Sequence, residues 1–140
     1  MTAPGSGSRR RFLGRVVSAV PMVGAAVWVD GCAGPRDRVV CRIDDLPVGG
    51  FRLFEHPGPD DACILIRRAP DRLVAFSRRC THESCAVAYR AGADRLECAC
   101  HAGAYAADDG RVLGGPPPHP LVRLTVAVKG GDVLVGGPAR

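Results

Sequence analysis

The sequence predicts an all-β fold, and three observations carry this prediction. Glycine and proline are abundant, with 18 and 12 residues among 140, whereas aromatic residues make up only 5% of the chain. This composition suits short strands joined by many turns better than long helices. Segments 51–55 and 121–128 alternate apolar and polar residues, as half-buried strands do. Segment 114–120 contains three consecutive prolines, which cannot lie inside a sheet and therefore predict a loop.

Short apolar segments follow one another along the chain from residue 38 onward. The first is rich in valine and isoleucine, and the third and fourth are joined by Ala69-Pro70-Asp71, which predicts a hairpin. The predicted strands span 38–43, 51–55, 62–68, 72–77, 86–89, 95–98, 112–113, 121–128 and 133–135. Together they form one domain of about 105 residues, which is an ordinary size for a single core.

Much of the formal charge of +5 lies ahead of Cys32. Of the 19 basic and 14 acidic residues, four arginines and one aspartate precede Cys32, which leaves 15 basic and 13 acidic residues and a net charge of +2. No stripe of lysine and arginine interleaves with aromatic residues in this part. Nucleic acid is therefore not an expected partner.

Cysteine and histidine recur together in two short motifs that are separated by fifteen residues. The motifs read Cys80-Thr81-His82 and Cys98-Ala99-Cys100-His101. Each motif offers one thiol and one imidazole, a ligand set that is compatible with iron–sulfur chemistry or with zinc. A c-type haem is excluded, because it needs two cysteines separated by two residues and followed by histidine.

This pair of motifs resembles the Rieske motif, Cys-x-His followed by Cys-x-x-His. The resemblance implies that Cys80 and Cys98 bind the inner iron of a [2Fe–2S] cluster, and that His82 and His101 bind the outer, more exposed iron. Two neutral imidazoles in place of two thiolates remove negative charge from the cluster, so its reduction becomes easier. A structural zinc site made by the same four residues is the alternative.

The resemblance also implies a disulfide and a fold. In the Rieske subunits of cytochrome bc complexes, cysteines at the places of Cys85 and Cys100 join the two ligand loops. The implied fold is a Rieske-type antiparallel β-sandwich over 38–140, with a cluster-binding subdomain, 80–120, inserted into it. In this family a Gly- and Pro-rich loop, here 114–120, covers the cluster.

Three residues near the motifs bear on the reduction potential. Tyr105 stands where the bc-type family has a tyrosine that donates a hydrogen bond to a cysteine ligand. Gly103 stands where that family has a serine donor, and Glu83 stands where it usually has an apolar leucine. A missing donor and an added carboxylate both disfavour extra electron density, so we expect a lower potential than in respiratory Rieske subunits and no direct quinol oxidation.

Residues 1–31 are expected to form an export signal or anchor. Segment 8–13, Ser-Arg-Arg-Arg-Phe-Leu, resembles the twin-arginine signal. The apolar segment 16–29 that follows would span ~21 Å as a helix, which is short of the ~30 Å hydrocarbon core of a bilayer. Its length therefore suits a signal segment better than a membrane span. We expect a protein that is exported to the periplasm or to the outer face of the cytoplasmic membrane.

Seven cysteines are an odd number, which leaves one without a partner. Residues 29–32 resemble a lipobox, so Cys32 is a candidate for lipidation at the start of a linker, 32–37. An uncleaved anchor and a soluble periplasmic form are the alternatives. Cys41 and Cys63 lie on predicted early strands and could form a second disulfide in an oxidising compartment.

The function that these patterns favour is one-electron transfer through a [2Fe–2S] cluster, as in the iron–sulfur subunit of quinol:cytochrome reductases. Such a protein is an electron-transfer component of an oxidoreductase rather than a stand-alone catalyst. Its expected partners are redox proteins, either a quinol/cytochrome complex or the large subunit of an exported oxidoreductase such as arsenite oxidase, and a membrane tether is expected. Two further candidate functions are a dioxygenase-type Rieske ferredoxin and a zinc-stabilised binding module.

Overall fold

The computed structural model describes residues 37–57 and 62–140. Within these residues the chain forms ten β-strands and two short 3₁₀ helices, Ile43–Asp45 and Ala91–Ala93, and the all-β prediction is confirmed. The strands are β1 Arg38–Arg42, β2 Phe51–Glu55, β3 Ala62–Ala69, β4 Arg72–Ser77, β5 Val87–Arg90, β6 Arg95–Cys98, β7 Gly103–Ala106, β8 Val112–Gly114, β9 Arg123–Lys129 and β10 Asp132–Pro138.

The strands form two antiparallel sheets. The larger sheet has six strands in the order β1-β10-β9-β4-β3-β2, and the smaller has four in the order β5-β6-β7-β8. Strands β4 and β9 pair directly, with Ala75 opposite Leu124, although the 45 residues 78–122 separate β4 from β9 along the chain. The four-stranded sheet is therefore built from the segment that leaves the larger sheet after β4 and returns at β9.

The β3–β4 hairpin is buried on both of its faces. On one face Ile64 and Phe76 pack against the four-stranded sheet. On the other face Leu65 and Ala75 pack into a second cluster with residues of β1, β9 and β10. Because both faces are covered, these two strands read as continuous apolar runs rather than as alternating ones. The hairpin is the wall shared by the two cores.

Strand β7, Gly103–Ala106, was not predicted from the sequence. Its small residues give no alternating pattern, and only Tyr105 is large. The strand forms because β6 turns back on itself after Cys98, which places Gly103 directly opposite Cys98. Pairing with β6 across a tight turn thus forms a strand that the local sequence pattern does not predict.

Residues 1–36 lie outside the described residues. The predicted export signal, the apolar segment and the lipidation candidate Cys32 fall there, and these remain predictions. Among the residues that the structure describes, no helix has the length and apolar character required to cross a membrane.

Candidate metal centre

The first ligand loop follows β4 and is closed by backbone hydrogen bonds. The N–H of Cys80 donates to the carbonyl of Cys85 at 2.9 Å, and the N–H of Ser84 donates to the carbonyl of Cys80 at 2.9 Å. An isolated bridge between Arg79 and Ala86 seals the base of the loop. Cys80 and His82 are therefore held on a tight turn at the end of a rigid strand.

The second ligand loop is the turn between β6 and β7. Cys98 and Gly103 form the last pair of the two strands, so only four residues make the turn. Ala102 closes it with a φ of 55°, in the left-handed region that non-glycine residues adopt at some cost. This geometry presents His101 at the tip while Cys98 stays within the sheet.

The two thiols and the two imidazoles occupy different depths. Cys80 and Cys98 are buried, with 3% and 2% of their surface exposed, whereas His82 and His101 are exposed. The two imidazole rings lie 4.8 Å apart between centroids and are nearly perpendicular. The predicted ligands thus form a buried pair of thiols, in hydrogen-bond contact with each other, and an exposed pair of neighbouring imidazoles.

This arrangement fits a [2Fe–2S] cluster better than a single zinc ion. The side chains of His82, Glu83 and His101 form one group of donor atoms, and Cys98 groups separately with Cys85 and Cys100. A tetrahedral zinc site would need all four ligand atoms around one point. A buried pair of thiols and an exposed pair of imidazoles suit the mixed cysteine and histidine ligation of a dinuclear cluster.

A disulfide joins the two ligand loops, and this prediction is confirmed. Cys85 and Cys100 are bonded, with their Cα atoms 6.5 Å apart. The bond lies beside the buried thiol of Cys98, since the sulfur atoms of all three cysteines lie within 4.8 Å of one another. The bridge therefore fixes the two loops next to the proposed ligands.

Tyr105 is fully buried beneath the first ligand loop. Its hydroxyl lies 3.1 Å from the sulfur of Cys80 and accepts a hydrogen bond from the N–H of Thr81 at 3.1 Å. The hydroxyl can donate a hydrogen bond to the Cys80 sulfur when that sulfur is a thiolate. Burial and the contact with Cys80 raise the pKa of Tyr105, so the hydroxyl keeps its proton.

The surroundings of Cys80 favour its ionised form. Burial alone opposes ionisation of the thiol, but hydrogen bonds from Tyr105, from the backbone N–H groups of His82 and Glu83, and from Cys98 outweigh it. The pKa of the Cys80 thiol is therefore lower than usual. The loop is prepared to present a thiolate, which is the form that binds metal.

The proline-rich loop packs directly on the second ligand loop. A side chain at Gly103 would meet the ring of Pro117 at 2.7 Å, and one at Gly115 would meet the carbonyl of Ala102 at 2.7 Å. Gly115 also has a φ of 86°, which favours glycine. A serine at position 103 would therefore need the proline-rich loop to move.

Thr81 ties the proline-rich loop to the first ligand loop, a role that sequence analysis missed. Its hydroxyl donates to the carbonyl of His119 at 2.7 Å. The residue stands at the variable position of the Cys-x-His motif, where the pattern carries no information. Only the fold reveals that it contacts both Tyr105 and the covering loop.

Arg68 connects the two sheets and was also missed. It lies on β3 and donates to the carboxylates of Asp94 and Asp108 and to the hydroxyl of Tyr89, all three on the segment that forms the smaller sheet. Hydrogen bonding to Asp94 is the main cause that raises the pKa of Arg68 and lowers the pKa of Asp94. An arginine in a predicted apolar strand gave no signal of this contact.

Cys41 and Cys63 lie in the same buried cluster of the larger sheet. Cys41 is a free thiol in the structure, and burial raises its pKa. No bond joins Cys41 to Cys63 in the structure, and a second disulfide between them stays a prediction.

Known proteins share both the sequence pattern and the fold of this chain. The sequence model of the Rieske [2Fe-2S] domain family matches residues 37–128. A cytochrome b6-f complex iron-sulfur subunit from Chlorobaculum tepidum is 33% identical over 91 residues, which are 65% of this chain and 48% of that protein. A carotenoid phi-ring synthase of the same organism is 36% identical over 116 residues, which are 81% of this chain and 17% of that protein.

Solved structures show the same fold. The cyanobacterial plasma membrane Rieske protein PetC3 from Synechocystis PCC 6803 superimposes with a TM-score of 0.63 at 26% sequence identity. The match covers 71% of this chain and 99% of that one. The chain spans about half the length, or less, of the two curated relatives named above.

Proposed function

The chain belongs to the Rieske [2Fe-2S] domain family, and we propose that its cluster is held by Cys80 and Cys98 on one iron and by His82 and His101 on the other. The depth of the donors supports this assignment, because soft thiols lie buried beneath two exposed imidazoles. The lowered pKa of Cys80 and the disulfide between the two loops support it further.

The protein transfers single electrons, since the cluster of this family accepts and releases one electron at a time. The chain contributes the conditions for that transfer. Tyr105 donates a hydrogen bond to the Cys80 sulfur and so favours added electron density there. The proline-rich loop packs over the second ligand loop and limits access of water to the buried thiols. The exposed imidazoles provide the edge through which a partner is reached.

We propose that the protein is an exported, membrane-tethered carrier that exchanges electrons with redox protein partners. The twin-arginine pattern and the disulfide support export, because disulfides persist in oxidising compartments. The similarity to a cytochrome b6-f iron-sulfur subunit supports a partner of the cytochrome type. The disulfide argues against a cytoplasmic dioxygenase ferredoxin, and the large subunit of an exported oxidoreductase remains the alternative partner.

One observation argues that the partner is a protein and not quinol. The carboxylate of Glu83 lies 3.7 Å from Nε2 of His101, and its side chain is 61% exposed at the tip of the ligand loops. A charged group at the contact point would have to lose its water in an apolar quinol site, which is costly. A protein partner with a polar rim can accommodate this carboxylate.

The experiment that tests the proposed function is EPR spectroscopy of the purified protein, first with ascorbate and then with dithionite. We expect a Rieske-type spectrum, and its appearance with ascorbate alone would place the protein among high-potential carriers. A spectrum that needs dithionite would move it toward ferredoxin-like partners. Zinc without iron in metal analysis would refute electron transfer.

The ligand assignment is tested by two matched histidine variants. His82→Ala should abolish the Rieske spectrum, because the outer iron loses one of its two protein ligands. His119→Ala is the control, since His119 lies exposed in the proline-rich loop and contributes its backbone carbonyl to Thr81. A spectrum that survives in His82→Ala would overturn the assignment.

A further inference from the structure

The outer face of the four-stranded sheet carries a groove of about 510 Å³. One row of paired residues crosses the sheet from β5 to β8, and it consists of Ala88, Glu97, Ala104 and Gly114. Three of these four residues have no side chain larger than a methyl group, so the sheet surface is low along this row. We call this feature the outer groove.

The outer groove runs between a charged end and the second ligand loop. Arg90 and Arg95 lie at the end where β5 turns into β6. Ala99 and Ala102 of the ligand loop lie at the opposite end, next to the backbone of the buried Cys98. A molecule seated in the groove would therefore lie against the strand that supplies one of the proposed thiol ligands.

The charged end of the outer groove is positive. Nε of Arg90 lies 3.2 Å from one carboxylate oxygen of Glu97, and Nη2 of Arg95 lies 2.5 Å from the other. Hydrogen bonding to Arg95 is the first cause that keeps the pKa of Glu97 low, so the carboxylate stays ionised. Two guanidinium groups against one carboxylate leave a net charge of +1, and the arginines remain 60% and 48% exposed.

An apolar side chain also lines the outer groove, on the opposite edge strand of the sheet from Arg90. Leu113 on β8 lines the outer groove, and half of it is exposed. Exposed arginines are among the residues that are enriched in protein interfaces. Arginine in particular recognises carboxylates in a two-point geometry.

We propose that the outer groove is a docking surface for an acidic segment of a redox partner protein. The inference rests on the proposed electron-transfer function. Carboxylates of the partner contact Arg90 and Arg95, an apolar side chain packs on Leu113, and the segment runs along the small residues toward Cys98. A partner held there lies against the strand that supplies Cys98, one of the proposed thiol ligands.

The tip of the ligand loops, where His82 and His101 are exposed, has the opposite charge character from the outer groove. Glu83 is the exposed charged residue beside His101, so an acidic segment is repelled at the tip and attracted at the outer groove. The protein thus offers two chemically different faces to its partners. One electron partner can occupy the outer groove while the tip remains open to a second one.

The test measures oxidation of the reduced protein by two small reagents of opposite charge. In each reaction the protein loses one electron, which reduces hexacyanoferrate(III) to hexacyanoferrate(II) or tris(phenanthroline)cobalt(III) to its cobalt(II) form. The ratio of the two stopped-flow rates reports local charge, because a change in reduction potential affects both rates in the same direction. Added oligoglutamate, which mimics an acidic segment, should compete with hexacyanoferrate.

Three variants define the expected result. Arg90→Gln with Arg95→Gln should lower the ratio of the anionic to the cationic rate by roughly tenfold and remove the competition by oligoglutamate. Glu97→Gln should raise the ratio, because both guanidinium groups lose their internal partner. Arg52→Gln with Lys129→Gln removes the same charge from the larger sheet and is the matched control, with a ratio close to that of the wild type.

The outcomes distinguish a failure of the proposed electron-transfer function from a failure of the proposed docking surface. A Rieske spectrum is recorded for every variant first, and its absence in the wild type would refute the proposed function itself. With the cluster intact, equal ratios in the groove variant and in the control would overturn the docking surface. Competition by oligoglutamate that persists in Arg90→Gln with Arg95→Gln would overturn it too. So would a rate of wild-type oxidation by hexacyanoferrate that oligoglutamate does not lower.

Discussion

The six-stranded sheet and the four-stranded sheet are stabilised in different ways. The larger sheet has strands of five to eight residues and buries apolar side chains on both faces of its central hairpin. The smaller sheet has strands of three or four residues. Besides its packing against β3 and β4, it is held by specific links: a disulfide, the hydroxyl of Tyr105, the packed proline-rich loop and the ion pairs of Arg68.

This difference in stabilisation follows from the size of each sheet and from what each one holds in place. A sheet with so few residues cannot bury enough apolar surface to hold loops in place by packing alone. Links between defined atoms fix the ligand loops without requiring a large core. The larger sheet supplies most of the stability, and the smaller one fixes the geometry of the proposed metal ligands.

The largest expected effect comes from the wall between the two cores. Phe76→Ala should lower the free energy of unfolding by about 3–5 kcal/mol, because the ring is fully buried between the sheets. Urea unfolding followed by circular dichroism measures this loss. Phe51→Ala is the matched control, since that ring is 46% exposed, and it should cost about 1 kcal/mol. Equal losses would contradict the assignment of Phe76 to the shared wall.

Removal of the disulfide should destabilise the protein and loosen the two ligand loops. Cys85→Ser with Cys100→Ser should destabilise the protein by roughly 3 kcal/mol, the value expected when a bridge closes a loop of 15 residues. The cluster should assemble but be lost at lower temperature, which the visible absorbance reports. Its potential should fall, because looser loops weaken the N–H groups that donate to Cys80. Cys41→Ser, which keeps the bridge, is the control, and a double variant that matches the wild type in both properties would refute this role.

A smaller change is expected from the hydroxyl of Tyr105, which lies beside the sulfur of Cys80. Tyr105→Phe removes a hydrogen-bond donor to the Cys80 sulfur and should lower the reduction potential. A hydrogen bond of ~0.5–1.5 kcal/mol corresponds to roughly 20–65 mV for one electron. Redox titration monitored by circular dichroism measures the shift. Tyr89→Phe is the control, since that hydroxyl donates to Asp94 and should leave the potential unchanged.

The smallest effect is expected from the ion pairs between the sheets. Asp94→Asn should lower the free energy of unfolding at pH 7 by at most about 1 kcal/mol, because the carboxylate is largely exposed. The folded-state pKa of Asp94 is lowered, chiefly by Arg68, so its stabilising effect is present above its unfolded pKa of about 3.9 and is lost as the pH falls through the folded value.

The pH dependence of unfolding checks this sign. The difference in stability between the wild type and Asp94→Asn should be largest above about pH 5 and should disappear in strong acid. Asp71→Asn is the control, because Asp71 lies exposed in the turn between β3 and β4. A difference that grows toward acid pH would contradict the ion pair with Arg68.

The elements that the sequence predicted well are those with a local pattern. Strand β9 alternates, and β3 and β4 are apolar runs that flank a turn, so their positions follow from residues close together in the chain. Strand β2 also forms where its pattern predicts it, but Phe51 and Leu53 are about half exposed, so its expected burial is wrong. The disulfide between Cys85 and Cys100 was implied by the resemblance of the motifs around it, and the structure confirms it. The ligand assignment rests on the same two motifs.

The elements that the sequence did not predict depend on contacts between distant residues. Strand β7 exists because it pairs with β6, and its own residues have little strand preference. Thr81 contacts His119 across 38 residues, and Arg68 contacts Asp108 across 40. The local sequence pattern around Thr81 or Arg68 cannot predict a contact with a residue so far along the chain.

By itself the sequence determined the chemistry of this protein: two thiols, two imidazoles and two bridging cysteines at spacings that suit one kind of cluster. It also determined that the chain would form short strands, because side-chain alternation and turn residues act over a few positions. Tertiary structure alone decided which sulfurs are buried, which imidazoles are exposed and where the outer groove lies. Burial and proximity depend on how strands pair and on which face of a sheet is covered, and neither is encoded in any single stretch of the chain.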